Sequence, residues 1–296
     1  MRPVALSIGS FDGVHRGHQS LIARLVAAAH ADGRTPAVLT FYPHPRQVLR
    51  GWEPGYYLTD PAEKAELLGQ YGIDLVVTYP FDDAVRQMRA RAFVGELRER
   101  LGLADLWVGP DFALGYRREG DVPFLRALGA ETGFAVHVIE EKLALGGAPV
   151  SSERIRVALR AGDVAQAGDF LGRPYRLSGM VVHGDHRGRS IGFPTANLKV
   201  SEERTVPARG VYATWALAGG RRHASVTNVG VRPTFDGAHA VTVEAHLLDY
   251  SGDLYDQVLA IDFVARIRDE RRFAGVTELV AQIGQDVQTG RTLLTG

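Results

Sequence analysis

The spacing of apolar residues changes partway along the chain. In the first half, short continuous apolar runs are separated by segments in which apolar residues recur every three or four positions. Such runs predict buried strands, and the segments between them predict amphipathic helices. Strands that alternate with helices indicate a parallel sheet with helices on its faces. The strand-like runs are "PVALSIGSF", "TPAVLTF", "IDLVVTY", "ADLWVG" and "FAVHVIE".

The segment "LTDPAEKAELLGQYG" carries the clearest helix start. Asp60 is a favoured N-cap residue, Pro61 suits the first helical position, and Glu63 stands where a capping box places its acid. We therefore expect a helix to begin directly after Asp60.

The pattern changes after about Arg173, where short strand-like runs are divided by turns containing Gly, Asp and Pro. No helical spacing returns until the last segment, where Leu279, Val280, Ile283 and Val287 form one apolar stripe. This pattern predicts an all-β domain, a small barrel, closed by a C-terminal helix. We place the seam in "AQAGDFLGRPYR" and predict two domains, residues 1–170 and 171–296.

Composition narrows the classes of partner. The 296 residues carry a formal net charge of +0, so no basic field favours nucleic acid or an anionic membrane. The chain has no cysteine, which excludes disulfides and thiolate metal sites. Because Lys64, Lys142 and Lys199 are the only lysines, we expect phosphate chemistry to depend on arginine, histidine, backbone amides and metal. We expect a cytoplasmic protein, a monomer or a weak homo-oligomer, without nucleic-acid or membrane partners.

The stretch "GSFDGVHRGHQSLI" joins the first strand to the first helix and holds His15 and His18. Helix N-termini at strand ends suit phosphate, and histidines can donate hydrogen bonds to phosphate oxygens. A zinc pair is a weaker reading because a third protein ligand is not evident. An ordinary surface turn stays possible on spacing alone. Asp12 suits either a turn or a role beside His15 or Mg²⁺.

A second distinctive stretch is "HGDHRGRSIGFPTANL". In an extended segment Thr195 and Asn197 face the same way, and their oxygens suit Mg²⁺ or a phosphate edge. Glycines at 184, 188 and 192 leave room for a flavin or nucleotide, although a turn rich in Gly and Pro also explains them. Glu244 falls on the more polar face of the strand "AVTVEAHLLDY", which alone indicates only a solvated glutamate.

Several segments in order along nearly the whole chain resemble the bacterial bifunctional riboflavin kinase/FAD synthetase family. "GSFDGVHRGHQSLI" resembles its nucleotidyltransferase signature, and the "PTAN" of the second stretch resembles its riboflavin kinase motif. The other similar segments are "TFYPHPRQVL", "VGPDFALGYRREGD", "VSSERIR", "SVTNVGVRPTF" and "IRDERRF". The resemblance implies an α/β Rossmann-like nucleotidyltransferase domain followed by an all-β riboflavin-kinase-type barrel with a C-terminal helix.

The resemblance also implies the chemistry. With Mg²⁺ and ATP as co-substrate, the barrel would phosphorylate riboflavin to FMN, and the first domain would adenylylate FMN to FAD with release of pyrophosphate. The implied catalytic residues are Glu244 as base and His15 and His18 on the ATP phosphates. Metal ligands would be Thr195 and Asn197, and Arg232, Pro233 and Thr234 would shape the kinase site wall. The implied nucleotide- and phosphate-binding residues are Gly9, Phe11, Gly17, Asp111, Ser151, Ser152, Arg156, Gly192, Asn228 and Arg271.

One position departs from the family pattern: Glu153 stands where threonine is usual. A glutamate suits a helix start, but beside a triphosphate its charge would repel the ligand unless it turned away or met Mg²⁺. This departure motivates an alternative, a riboflavin kinase with a weakened or silent first domain. A flavin-binding module without turnover is a further alternative.

Overall fold

The structure is a computed structural model that describes residues 3–140, 143–184, 188, 191–233 and 239–295, with only the backbone described at 232, 233, 239 and 240. Contacts divide the chain into two compact units. The first unit comprises Met1–Glu53 and Leu58–Ser152, and the second comprises Pro54–Tyr57 and Glu153–Gly296. No helix in the described residues is both long enough and apolar enough to cross a membrane.

The first unit is built on a parallel five-stranded sheet with the order β3-β2-β1-β4-β7. Two short antiparallel pairs, β5–β6 and β8–β9, lie outside that sheet. Its strands are β1 (Val4–Ile8), β2 (Thr35–Tyr42), β3 (Leu75–Pro80), β4 (Leu103–Val108), β5 (Ala113–Leu114), β6 (Gly120–Asp121), β7 (Ala135–Val138), β8 (Ala144–Leu145) and β9 (Ala148–Pro149). Its helices are α1 (Arg16–Ala31), α2 (Pro45–Arg50), α3 (Pro61–Gln70), α4 (Asp83–Gln87), α5 (Ala90–Leu101) and α6 (Val122–Thr132), with a 3₁₀ turn at Tyr116–Arg118.

Helices cover both faces of the sheet, which confirms the α/β prediction. One face packs on α5 and α6, and the other packs on α1 and α3. All of β1 is buried because it lies in the middle of the sheet between β2 and β4. Strand order reverses at β1, and in such sheets the crevice at the carboxyl ends of the central strands is where ligands bind. The start of α3 is also confirmed, since the Asp60 carboxylate accepts the Glu63 N–H at 2.8 Å.

The second unit is a closed antiparallel barrel with the order β10-β11-β14-β13-β12-β15, which confirms the predicted all-β architecture. Its strands are β10 (Tyr175–Val182), β11 (Ala196–Lys199), β12 (Gly210–Ala218), β13 (Arg221–Pro233), β14 (His239–Leu247) and β15 (Val258–Arg268). Tyr175, Tyr212 and Phe263 fill its interior. Its helices are α7 (Ser152–Ala161), whose first residue falls in the first unit, α8 (Val164–Leu171) and α9 (Val276–Thr295).

The region around the predicted seam is helical. "AQAGDFLGRPYR" contains most of α8 and the start of β10, and the contacts divide the chain earlier, between Ser152 and Glu153. The boundary at residue 170 stays a prediction. The C-terminal helix lies where it was expected, and its most buried positions are Asp286 and Gly290. Asp286 accepts a two-pronged ion pair from Arg268 on β15, at 2.9 Å and 2.7 Å.

Candidate active sites

His15 and His18 lie side by side at the start of α1. The two rings stack 3.6 Å apart with an interplanar angle of 14°. His15 is the N-cap of the helix, and its Nδ1 accepts the His18 backbone N–H at 3.3 Å. Because Nδ1 accepts, the proton of a neutral His15 ring is on Nε2, which can donate to a phosphate oxygen. His15 therefore combines a capping role with a donor for a ligand.

His18 is held neutral. Burial, reinforced by His15 and by Lys64, lowers the pKa of His18 well below its usual value. Its Nδ1 atom is buried and has no hydrogen-bond partner among the residues that the structure describes. A neutral imidazole offers one donor and one acceptor, so His18 contributes a directed hydrogen bond rather than a charge.

The small residues of this turn make room for the rings. A side chain at Gly17 would begin 3.2 Å from the His15 ring, and one at Gly9 would begin 3.1 Å from the Phe11 ring. The Phe11 side chain is buried, with its ring centroid 5.0 Å from that of His18. Phe11 therefore supports the histidine pair from the core side.

Asp12 is a structural residue of the turn. Its buried carboxylate accepts the backbone N–H groups of Leu58 and Thr59, at 3.0 Å and 3.1 Å. These bonds favour the turn interpretation over a role in orienting His15. The Ser152 hydroxyl donates to the Asp12 carbonyl at 2.9 Å, which brings Ser152 to the histidine turn within the first unit. Ser151 precedes it in the chain.

Residues of two other family-like segments, "VGPDFALGYRREGD" and "TFYPHPRQVL", follow the carboxyl ends of neighbouring strands. Asp111 comes after β4, and its carbonyl accepts from Arg118 at 2.8 Å. His44 comes after β2 and caps α2, its Nδ1 accepting the Arg46 N–H at 3.0 Å. Carboxyl ends of adjacent parallel strands share one edge of a sheet, so both residues lie on the same edge as the histidine turn after β1.

Arg156 and Glu153 form an ion pair in the second unit. The buried Arg156 guanidinium donates to Glu153 at 3.0 Å and to the Tyr56 carbonyl at 2.6 Å, and it stacks on the Tyr56 ring. Glu153 also lies 3.6 Å from Arg160. The unusual glutamate is therefore turned towards two arginines, which is one of the two arrangements that would let a phosphate site tolerate it.

The barrel brings three predicted kinase residues into one row. Glu244 on β14 is directly opposite Asn197 on β11 and directly opposite Asn228 on β13. Side chains directly opposite in antiparallel strands share a face, with Cβ atoms about 5 Å apart. Val243 and Ala245 are buried in the barrel, so the alternating row faces outward. We call Asn197, Glu244 and Asn228 the cross-strand row.

A cavity of about 600 Å³ adjoins this row at Asn197, while Glu244 and Asn228 are not among the described residues that line it. Thr195 and Asn197 line it together with Val181, Ala245 and a segment from Tyr250 to Tyr255. The glycines of the second motif serve the protein's own atoms: a side chain at Gly184 would overlap Asn197, and one at Gly188 would overlap the Phe193 carbonyl. Gly192 has a φ of 88° and shapes the turn before Pro194. Residues 185–187, 189, 190 and Thr234 lie outside the described residues.

His246 was missed in the sequence. Its Nδ1 lies 2.8 Å from the Pro194 carbonyl, and its ring packs edge-on to Phe193. A neutral ring with the proton on Nδ1 donates to that carbonyl, which holds the segment leading into Thr195. The only available signal was its position two residues after Glu244, on the same face of the strand.

Thr195 and Asn197 suit Mg²⁺ by the chemistry of their donors. Both offer neutral, hard oxygens, and Mg²⁺ is commonly bound by few protein ligands together with substrate phosphates. The described residues contain no group of three or more histidines and carboxylates that could hold a metal alone. The arrangement fits a cation that arrives with a nucleotide.

Arg271 lies in the segment that joins β15 to α9. It donates to Gln282 on α9 and stacks over Phe273, with 4.8 Å to the ring centroid. Gln282 in turn donates to Asp286 at 2.8 Å. Arg271 thus donates to a neutral amide, and its role on a ligand phosphate stays a prediction.

Comparisons with known proteins match each half of the chain to a protein family. The family model described as FAD synthetase matches residues 1–154, and the one described as riboflavin kinase matches residues 171–294. A crystal structure titled as a macrolide-efflux protein from Streptococcus pneumoniae is similar over 98% of this chain and 95% of its own, with a TM-score of 0.90 and 29% identity. That likeness supports the fold described above.

Relatives described as bifunctional riboflavin kinase/FMN adenylyltransferase match the chain end to end. The Pseudomonas fluorescens protein is 40% identical over 99% of this chain and 93% of its own. The Escherichia coli K12 protein is 38% identical over 97% and 91%, and the Bacillus subtilis protein is 36% identical over 96% and 90%. This chain therefore belongs to the family of bifunctional riboflavin kinases/FMN adenylyltransferases.

Proposed function

We propose that this chain converts riboflavin to FMN in the barrel and FMN to FAD in the α/β unit, each step consuming one ATP. One observation supports the proposal: the stacked histidines lie in the first compact unit, and the cross-strand row lies in the second. Kinase activity needs the cross-strand row and the cavity beside it. Adenylyl transfer needs the stacked histidines at the start of α1.

Glu244 is the general base of the kinase step. Its carboxylate takes the proton of the ribityl primary hydroxyl while that oxygen attacks the γ-phosphorus of ATP, the bond to the β-phosphate oxygen breaks, and ADP leaves. Asn197 and Asn228 flank Glu244 on the neighbouring strands, where their amides can hold the carboxylate in position. Positioning of this kind supplies most of the catalysis in phosphoryl transfer.

His15 and His18 serve the second step. An FMN phosphate oxygen attacks the α-phosphorus of ATP, the bond to the β-phosphate breaks, and pyrophosphate leaves. Donors at the start of α1 stabilise the charge that develops on the transferring phosphate. Ser151, Ser152, Asp111 and the glycines of the turn belong to this site as nucleotide-binding residues.

The proposal also includes Arg156, Asn228, Arg271 and Gly192 as nucleotide- or phosphate-binding residues. Mg²⁺ held by Thr195 and Asn197 would supply neutralisation of phosphate charge in the kinase site. In both sites the chain's own task is to bind, orient and donate hydrogen bonds.

A chromatographic time course with purified protein, riboflavin, ATP and Mg²⁺ tests the function. We expect FMN to rise first and then to pass into FAD. FMN that accumulates without FAD would instead identify a kinase with a silent first domain. Absence of FMN would favour the flavin-binding module, and Glu244→Gln, which should bind riboflavin without turnover, separates binding from catalysis.

We further propose that the enzyme is cytoplasmic and works as a monomer or a weak homo-oligomer, without nucleic acid or membrane. Dependence on ATP and the absence of cysteine support the location. Light scattering at several protein concentrations tests the oligomeric state: a constant mass near 32.2 kDa supports the monomer.

A further inference from the structure

Lys64 is a buried cation directly beneath the histidine turn. It lies in the first turn of α3 and is 3% exposed. Its ammonium donates to the Ser10 carbonyl at 2.9 Å and to the Thr40 hydroxyl at 3.2 Å. Burial of an ammonium group is costly, and it lowers the pKa of Lys64. A lysine kept in such a place calls for a reason other than packing.

Its partners point to the histidine turn. Ser10 lies between β1 and His15, and the Thr40 hydroxyl also donates to the Ser10 carbonyl, at 2.9 Å. One carbonyl of the turn therefore receives two donors from α3 and β2. The backbone beyond it needs such support because Phe11 and Val14 adopt left-handed conformations, with φ of 46° and 40°.

The charge of Lys64 is felt at the site. Both hydrogen bonds of its ammonium among the described residues go to neutral oxygens. The nearby carboxylates are Asp12, bonded to Leu58 and Thr59, and Asp60, which caps α3. At His18 the neighbouring groups that oppose protonation are His15 and Lys64. Since His18 is held neutral, Lys64 provides a fixed positive charge close to this turn.

We propose that Lys64 is a positioning residue for adenylyl transfer: its buried ammonium holds the Ser10 carbonyl beneath the histidine turn and supplies fixed positive potential for the ATP phosphates. This proposal rests on the proposed second reaction. It revises the expectation from composition that lysine takes no part in the phosphate chemistry of this chain. Lys64 acts through the turn and through its field, without touching the reacting atoms.

The experiment compares four variants of the full chain, with FAD formation from FMN and ATP as the readout and riboflavin phosphorylation as the internal check on folding. Lys64→Gln keeps an amide donor but removes the charge, and Lys64→Arg keeps the charge. Thr40→Val removes the hydroxyl that donates to the Ser10 carbonyl and accepts from Lys64, and it leaves the Lys64 charge in place. Lys199→Met is the matched control at an exposed lysine in the other unit.

We expect Lys64→Gln to raise the KM for ATP about tenfold or more, because a charge acting across a low-dielectric site is lost. Lys64→Arg should bind ATP better than Lys64→Gln, Thr40→Val should raise the KM for ATP less than Lys64→Gln does, and Lys199→Met should stay within about twofold of the unmodified protein. Without the cation, the acid limb of the pH profile of FAD formation should also move to higher pH.

Three results would overturn the proposal. The first is an unchanged KM for ATP and an unchanged pH profile in Lys64→Gln. The second is an equal rise of the KM for ATP in Thr40→Val and Lys64→Gln, and the third is equal ATP affinity in Lys64→Gln and Lys64→Arg. If Lys64→Gln loses its fold, Lys64→Arg decides: ATP affinity retained near that of the unmodified protein supports the proposal, and ATP affinity lost while riboflavin phosphorylation is kept overturns it. Failure of the unmodified protein to form FAD would count against the proposed function instead.

Discussion

Among single residues, His15 combines two roles that one substitution can separate. Asparagine is a good N-cap, so His15→Asn preserves the bond to the His18 N–H while removing the ring donor. We expect FAD formation to fall about 100-fold, the usual effect of losing one transition-state donor, with FMN formation unchanged. His15→Ala should also lose about 1 kcal/mol of unfolding free energy. Full FAD formation by His15→Asn would refute the donor role.

His18 links stability to pH. Its pKa in the fold is well below the usual value because of burial first, then His15 and Lys64. In the unfolded chain it binds a proton below about pH 6.5. The unfolded state then holds more protons, so stability falls as the pH drops from about 6.5 towards the lower pKa of the folded state. The melting temperature of His18→Gln should fall less between pH 7.5 and 5.5, and equal falls would contradict this linkage.

Glu153 is the residue at which the sequence leaves the family pattern. Its pairing with Arg156 and Arg160 gives it a local role that threonine would not fill. The Glu153 side chain is half exposed. We therefore expect Glu153→Thr to change the unfolding equilibrium constant and the rate of FAD formation each by less than about threefold. A large rise in FAD formation would support the silent-domain alternative.

Between elements, the contact of α9 with β15 depends on a charge pair. Asp286 is 3% exposed and takes both prongs of Arg268. Asp286→Asn leaves the guanidinium without its counter-charge, so the unfolding free energy of the barrel should fall by about 3 kcal/mol in urea titration. Replacing Asp286 by Leu and Arg268 by Met together should lower the unfolding free energy by less than this. A double variant that loses as much unfolding free energy as its two single variants added together would show that the two residues do not interact.

Element boundaries followed from local signals, whereas contacts between elements did not. Asp60 and Pro61 predicted the start of α3, because helix capping depends only on neighbouring residues in the chain. Strand β11 has only four residues, which is too few to show an alternating pattern of apolar and polar positions. Its pairing with β14, which creates the cross-strand row, depends on a partner far along the chain.

For the whole molecule, the two reactions have separate machinery. Two defective proteins should therefore complement each other: Glu244→Gln is expected to make no FMN, and His15→Asn is expected to make FAD about 100-fold more slowly. Mixed in equal amounts with riboflavin, ATP and Mg²⁺, they should form FAD, because FMN released by one protein diffuses to the other. Each variant alone is the control, and absence of FAD from the mixture would mean that FMN must pass within one chain.

The sequence by itself determined the two architectures, the start of α3 and the identity of the motif residues, because hydrophobic period, caps and motif spacing are local properties of the chain. Tertiary structure alone decided which of those residues meet. It stacked His15 on His18, placed Asn197 and Asn228 on either side of Glu244, and buried Lys64 beneath the turn. The physical reason is that strand register and side-chain burial are settled by partners distant in sequence, which compete for the same space and hydrogen bonds.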